Sequence, residues 1–169
     1  MKYIKISKCD IANGPGVRTV LWVSGCNHHC KNCHNSDTWS YDAGQEFDAA
    51  AHDYLFDCLS KSYIQGITFS GGDPLYPQNR QGVISLIKEI RCELPSKDIW
   101  LYTGYTWDQI KYLNLDVDVL VDGKFEESLK NISLLFRGSS NQRLIDVKTS
   151  LKCCEIITYS GSTYQEERI

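Results

Sequence analysis

Several features are missing from this sequence, and each absence excludes a class of protein. No apolar run approaches the ~20 residues that a membrane-spanning helix needs. The N-terminus carries lysines but neither a long apolar stretch nor a small-residue cleavage site, so we expect no secretory signal peptide. The net charge is only −3, which gives no electrostatic footprint for nucleic acid. We therefore expect a cytoplasmic protein that acts on neither membranes nor nucleic acids.

The sequence also lacks internal repeats, low-complexity segments and any interior break in composition. Its 169 residues match the usual size of one domain, and 42% of them are hydrophobic, which suffices for a core. We predict a single domain over residues 1–169.

Cysteine, by contrast, is plentiful. The eight cysteines stand at positions 9, 26, 30, 33, 58, 92, 153 and 154. An even count suggests disulfides in a small secreted chain, but here the expected cytosol is reducing and three thiols are clustered. Cys58 and Cys92 are interpreted as small buried hydrophobic residues on helix faces.

The clustered thiols are Cys26, Cys30 and Cys33. Soft thiolates select iron–sulfur clusters, zinc or Cu(I). A cubane [4Fe–4S] cluster normally takes four cysteines, so a fourth iron would be bound by a distant cysteine or left open for an exogenous ligand. A Cys₃His zinc site that uses one of the neighbouring histidines is the alternative. From the loop alone both interpretations stay open.

Strand-like and helix-like segments alternate along the chain. We predict strands at 1–9 (an edge strand), 17–24, 64–69, 98–103, 117–121 and 144–147, and helices at 48–62, 80–94 and 106–113. This alternation predicts parallel βαβ units. A closed eight-fold barrel needs about 200 residues or more. The predicted fold is therefore α/β, a partial, open (β/α) barrel or curved sheet with mostly parallel strands.

A second motif, Ser70-Gly71-Gly72-Asp73-Pro74, also follows a predicted strand. Paired glycines let a ligand approach the backbone closely, and Asp73 adds an acceptor for a cationic amine. The motif is not a phosphate-binding P-loop, because the terminal Lys-Ser/Thr pair is absent. An ordinary strand-to-helix turn is the alternative interpretation.

Together the two motifs resemble the radical S-adenosylmethionine superfamily, in which three cysteines bind a [4Fe–4S] cluster and S-adenosylmethionine chelates the fourth iron. Further blocks resemble anaerobic ribonucleotide reductase activating enzymes over roughly residues 5 to 150. These blocks are NGPGVR at 13–18, VSGC at 23–26, SDTW at 36–39, WLYTGY at 100–105, VDGKF at 121–125 and RGSSNQR at 137–143.

The resemblance implies roles for individual residues. The cluster ligands would be Cys26, Cys30 and Cys33. The adenosine part of the nucleotide would be bordered by Asn32, Cys33 and His34, and the methionyl amine would be contacted by Gly71, Gly72 and Asp73. The methionine and ribose would be lined by Thr103, Asp122 and Lys124. Position 34 often carries Tyr in the reductase activators, whereas pyruvate formate-lyase activators carry His there.

The resemblance also implies an enzymatic activity, that of an oxidoreductase. Reduced flavodoxin or ferredoxin would supply an electron, and S-adenosylmethionine would be cleaved reductively at the cluster. The resulting 5′-deoxyadenosyl radical would take a hydrogen from a glycine of the large reductase subunit and so create a glycyl radical.

Other residues are predicted to lie outside the chemistry. We expect His28 and His29 on the loop surface, not as metal ligands, with a supporting position next to the ligands as the alternative. We expect Arg18 at the surface, facing a partner or forming a plain salt bridge. Residues 150–169 extend past the resemblance, with an additional strand at 155–159 and a frayed end at 164–168.

Overall fold

Seven strands form one mixed sheet in the computed structural model, which describes residues 1–161. The strands are β1 (Lys2–Asp10), β2 (Arg18–Val23), β3 (Gln45–Glu46), β4 (Gly66–Gly71), β5 (Asp98–Tyr102), β6 (Val119–Asp122) and β7 (Arg143–Asp146). The helices are α1 (Ala49–Leu59), α2 (Pro77–Glu93), α3 (Trp107–Ile110) and α4 (Val147–Cys153). No helix among residues 1–161 is long and apolar enough to cross a membrane.

The sheet has the order β3-β1-β2-β4-β5-β6-β7 and does not close on itself. Its four central strands, β2, β4, β5 and β6, are parallel, whereas β1, β3 and β7 pair antiparallel at the two sides. The predicted α/β class is therefore confirmed, with an open sheet that is parallel in its core and antiparallel at its sides. The carboxyl ends of the four parallel strands meet at one edge of the sheet.

Helices α1 and α2 form where the sequence pattern predicts them, with shifted ends. The side chain of Asp48 caps α1 by accepting a hydrogen bond from the Ala51 amide (2.9 Å). Helix α2 begins three residues before the predicted position 80, because Pro77 occupies its first turn, where the missing N–H costs nothing. Both helices bury their apolar faces in the main core, which includes Leu55, Val83 and Ile87.

Several predicted elements need correction. β1 is not the edge strand, because the two-residue β3 pairs outside it. The helix at 106–113 is α3 followed by a separate 3₁₀ turn, Lys111–Leu113. The sequence analysis missed α4, whose first turn is capped by the Asp146 carboxylate. The strand at 155–159 is reduced to one isolated bridge between Ile145 and Thr158, and residues 164–168 lie outside the described residues.

The prediction that Arg18 lies at the surface is wrong, because its side chain is completely buried. The guanidinium donates to Thr68 Oγ1 (2.9 Å) and to the carbonyl oxygens of Ile67 (2.9 Å) and Pro15 (3.2 Å). It also forms an ion pair with Asp98. Arg18 therefore holds the turn before β2 against the sheet. Of the two cysteines expected to be buried, Cys58 is buried, whereas Cys92 is exposed.

Candidate functional site

Four loops meet at the carboxyl edge of the parallel strands. They are the cysteine loop (residues 24–35) after β2, the glycine turn (residues 71–75) after β4, residues 103–105 after β5 and residues 123–125 after β6. Each sequence motif singled out for chemistry lies in one of these loops. This edge is where parallel α/β sheets place their ligands.

Backbone hydrogen bonds fix both ends of the cysteine loop. The amides of Gly25 and Cys26 donate to the carbonyl oxygens of Thr38 (2.8 Å) and Trp39 (2.9 Å). The Cys33 amide closes a tight turn by donating to the Cys30 carbonyl (3.1 Å). Asn32, in that turn, has φ 54°, a left-handed conformation that asparagine tolerates better than most residues. Asn32 thus has a backbone role in bringing Cys33 back towards Cys30.

Cys26, Cys30 and Cys33 are free, partly exposed thiols. Burial raises the pKa of Cys26 to about 11, and hydrogen bonds from the backbone amides of His28 and His29 act in the opposite direction. Burial also raises the pKa of Cys30, against a hydrogen bond from the Phe125 amide.

Amide N–H groups directed at cysteine sulfur are the hydrogen bonds that tune the thiolates of iron–sulfur clusters. The residues present therefore fit an iron–sulfur cluster.

No three His, Cys, Asp or Glu side chains within residues 1–161 converge to hold a single metal ion. A tetrahedral zinc site requires such convergence, because all four ligands bind one atom. A cubane instead takes one cysteine at each iron, so that its thiolates need not point at one atom. Three thiols spread along one loop are compatible with that arrangement.

The glycine turn packs directly against the start of the cysteine loop. The Gly72 and Asp73 amides donate to the carbonyl oxygens of Val23 and Gly25, each over 2.8 Å. Gly71 has φ +109°, which disfavours any other residue, and a Cβ on Gly72 would lie closer than 3.0 Å to Gly25. The paired glycines therefore allow the glycine turn to pack closely against β2 and the cysteine loop.

Asp73 is 1% exposed and accepts hydrogen bonds from within the glycine turn and from two other loop segments. Its Oδ1 accepts from the Leu75 amide (2.8 Å), and its Oδ2 accepts from the Gly104 amide (3.0 Å). The Thr103 hydroxyl lies 3.0 Å from both oxygens, and Nε2 of His28 lies 2.7 Å from Oδ2. Asp73 and Thr103, two predicted nucleotide contacts, are thus joined in one buried network.

His28 was expected at the loop surface, and the structure corrects this expectation. Its side chain is only 8% exposed and lies edge-on to the Tyr105 ring, with 4.7 Å between ring centroids. His29 is exposed, as expected, and contacts Trp39.

Asp122 and Lys124, predicted to line the methionine and ribose, lie at the end of β6 and in the loop that follows it. Asp122 is buried, accepts from the Trp107 amide (2.7 Å) and pairs with the guanidinium of Arg143 (2.9 Å from Nε to Oδ1). This ion pair raises the pKa of Arg143. Lys124 is exposed, and its charge acts to lower the pKa of Cys30.

A cavity of about 430 Å³ opens beside the cysteine loop. Asn32, Cys33 and His34 contribute to its wall, as do Ser70 near the end of β4 and residues 130–132, 134 and 136–138. The cleft beside Asp122 and Lys124, about 520 Å³, shares none of these residues. The structure therefore places the predicted adenosine-bordering residues along one cavity, and Asp122 and Lys124 along a neighbouring cleft.

Sequence analysis identified neither the pairing of His28 with Asp73 nor that of Arg143 with Asp122. Asp73 follows β4 and Asp122 ends β6, whereas His28 lies within the cysteine motif and Arg143 ends the RGSSNQR block; all of these stretches carried the family resemblance. That combination was the available signal, but neither pairing follows from spacing in the sequence.

Comparison with known proteins agrees with this geometry. Residues 12–145 match the model of a 4Fe-4S single cluster domain, so that the chain is an iron–sulfur protein of α/β class. It is 50% identical over 146 residues to the anaerobic ribonucleoside-triphosphate reductase-activating protein of Enterobacteria phage T4, covering 85% of this chain and 93% of the phage protein. Identity to the protein of that name from Escherichia coli (strain K12) is 47% over 148 residues, covering 84% and 96%. The chain belongs to the family of anaerobic ribonucleoside-triphosphate reductase-activating proteins.

Proposed function

We propose that this protein activates an anaerobic ribonucleoside-triphosphate reductase, with Cys26, Cys30 and Cys33 holding a [4Fe–4S] cluster that binds S-adenosylmethionine. The chemistry supplied by the bound cofactors is reductive cleavage of the sulfonium, whose organic radical product converts a reductase glycine to a glycyl radical. The relatives in phage T4 and Escherichia coli carry the name of reductase-activating proteins. The proposal assigns this activity to the whole chain as one domain, with its open sheet curved as a partial (β/α) barrel.

One observation carries the proposal. The amides of Gly72 and Asp73 hydrogen-bond the glycine turn to the last residue of β2 and to Gly25 at the start of the cysteine loop. The cysteine loop and the predicted amine-binding turn therefore lie side by side at the carboxyl edge of the sheet. A ligand that chelates an open iron through its amino and carboxylate groups must contact both motifs, and this packing brings them together.

The protein's own residues would bind and orient the cofactors and exclude water. Backbone amides of His28, His29 and Phe125 would stabilise negative charge on the cysteine sulfurs. In the adjoining cavity, Asn32 and His34 offer polar contacts and Phe125 offers an apolar surface for a nucleoside. Gly71, Gly72 and Asp73 would shape the region around the methionyl amine, and Thr103, Asp122 and Lys124 the surrounding wall.

The partner in this proposal is a loop of the large reductase subunit, which must approach the cysteine loop. An open sheet leaves that edge accessible. The cavity wall includes Ile132, which is 92% exposed, and Leu134. These apolar side chains would pack against the incoming loop, whereas a reduced flavodoxin or ferredoxin would deliver the electron.

The experiment is anaerobic reconstitution with iron and sulfide, followed by reduction in the presence of S-adenosylmethionine. We expect about four iron and four sulfide per chain and formation of 5′-deoxyadenosine and methionine. Stoichiometric zinc without labile sulfide would refute the cluster. A loaded cluster that yields no 5′-deoxyadenosine under strong reduction would refute the proposed cofactor.

A further inference from the structure

We propose that His28 is a positioning residue that locks the cysteine loop to the Asp73 network. This inference rests on the proposed function, because it concerns how the cluster ligands are held. His28 lies between Cys26 and Cys30 in the loop, and its side chain leaves the loop to reach a carboxylate 45 residues further along the chain.

The hydrogen bond joins the loop to a rigid acceptor. Nε2 of His28 lies 2.7 Å from Oδ2 of Asp73. A carboxylate only accepts, so that Nε2 carries the proton and donates. Because Asp73 is buried and also held by the Thr103 hydroxyl and two backbone amides, its carboxylate cannot follow a moving loop. The loop must follow the carboxylate.

The surrounding residues leave a space that fits the imidazole. A Cβ on Gly104 would lie closer than 3.0 Å to the His28 ring, so that only glycine at position 104 admits the ring. On another side the ring meets the edge of Tyr105. Tyr105 in turn lies under the guanidinium of Arg80, at 5.6 Å from its ring centroid. Packing and hydrogen bonding therefore fix the same imidazole orientation.

This fixed orientation acts on the cysteines through the main chain. The amides of His28 and His29 are the ones that hydrogen-bond to the Cys26 sulfur. If the imidazole holds the peptide at position 28, it also holds these donors in place. Loss of the imidazole should therefore leave all three cysteines present but weaken retention of the cluster. Outer-shell residues of metal sites typically contribute about 10- to 100-fold in metal affinity or activity.

The test compares His28→Met with His28→Gln. Methionine has similar volume but no donor, whereas the glutamine amide can still donate to Asp73. A third variant, Gly104→Ala, displaces the ring and keeps Asp73 and every cysteine. His52→Met is the matched control, because His52 forms a comparable contact with a carboxylate, Glu89 (3.0 Å), on a different face.

Two measurements are made on the full chain. The first is the rate of iron release from the reconstituted protein to a chelator. The second is amide hydrogen exchange of residues 26–33 in the cluster-free protein. We expect His28→Met and Gly104→Ala to release iron on the order of 10-fold faster or more and to exchange faster in this loop. His28→Gln should behave much more like wild type, and His52→Met like wild type in both measurements.

Equal rates in wild type and His28→Met would overturn the proposal, as would a His28→Gln variant as impaired as His28→Met. If wild type assembles no cluster, the proposed function fails, and amide exchange in the cluster-free protein still decides the role of His28. If His28→Met does not fold, the comparison of Gly104→Ala and His28→Gln with wild type decides it by the same two measurements.

Discussion

The peptide at Gly72 lies directly against the carbonyl of Gly25, and this contact joins the two motifs of the site. A side chain on Gly72 has no room there, since the ideal Cβ position falls closer than 3.0 Å to the Gly25 carbonyl and near the Thr38 backbone. Gly25 in the cysteine loop and Gly72 in the glycine turn thus pack against each other and form one junction. The cysteine loop and the glycine turn can therefore lie this close only because Gly72 has no side chain.

Gly72→Ala should accordingly loosen this junction. We expect the free energy of unfolding of the cluster-free protein to fall by about 1–3 kcal/mol, as overpacking typically costs. We also expect a lower yield of reconstituted cluster. Urea denaturation and iron analysis measure the two effects. Gly161→Ala is the control, because a Cβ there makes only ordinary contacts with Tyr159. Equal losses in both variants would contradict the role given to the junction.

The ligand assignment predicts a sharper effect at Cys30. Cys30→Ala should abolish cluster assembly, because one iron of the cube loses its only protein ligand. The measurement is the brownish charge-transfer absorption after anaerobic reconstitution, together with iron and sulfide content. Cys92→Ala removes an exposed cysteine outside the loop and should reconstitute fully. Undiminished absorption in Cys30→Ala would show that the thiol is not a ligand.

Arg18 is a structural residue by this account. Arg18→Met keeps most of the side-chain volume but leaves the Asp98 carboxylate and the Ile67 and Pro15 carbonyls without their donor. Removing one partner of a buried ion pair costs about 3–5 kcal/mol, and the partial exposure of Asp98 favours the lower end. Urea denaturation measures the loss. Lys111→Met, at an exposed pair with Asp108, should change stability by less than about 1 kcal/mol. Equal stability of the Arg18 and Lys111 variants would be inconsistent with the buried pairing.

Acid should weaken the packing around Asp118. Burial alone would raise the pKa of Asp118, but hydrogen bonds from Lys148, Arg91 and the Ile99 amide outweigh it, so that the pKa is lowered from 3.8. A carboxylate whose pKa is lowered by folding stabilises the fold at any pH above its unfolded-state pKa. This contribution is lost as the pH falls through the lower pKa of the folded state. We expect the loss of stability between pH 5 and pH 3 to be smaller in Asp118→Asn than in wild type. Parallel pH profiles of the urea midpoint would contradict this assignment.

Much of the architecture follows from local pattern. The β-branched strands, the Asp48 cap and the apolar spacing of α1 and α2 predict parallel units, and parallel units bring their following loops to one edge. The sequence alone therefore predicts that the cysteine loop and the glycine turn lie at the same edge of the sheet. What could not be predicted depends on contacts between distant residues. No local pattern shows that Arg18 reaches Asp98, or that Asp122 pairs with Arg143.

His28 illustrates the same limit within a motif. Three histidines lie in or next to the cysteine loop, and their spacing does not show which one turns inward. The choice is made by Gly104 and Asp73, whose positions depend on how β4 and β5 pair. The glycine turn is a related case: its two glycines predict close approach, but the tertiary structure shows that another chain segment makes that approach.

The most direct test of the central claim is electron paramagnetic resonance on the reconstituted protein mixed anaerobically with reductant, S-adenosylmethionine and the large reductase subunit. We predict a glycyl radical signal that requires both proteins and disappears with Cys30→Ala. A fully loaded protein that cleaves S-adenosylmethionine yet never produces this signal with the reductase would contradict the proposed activity.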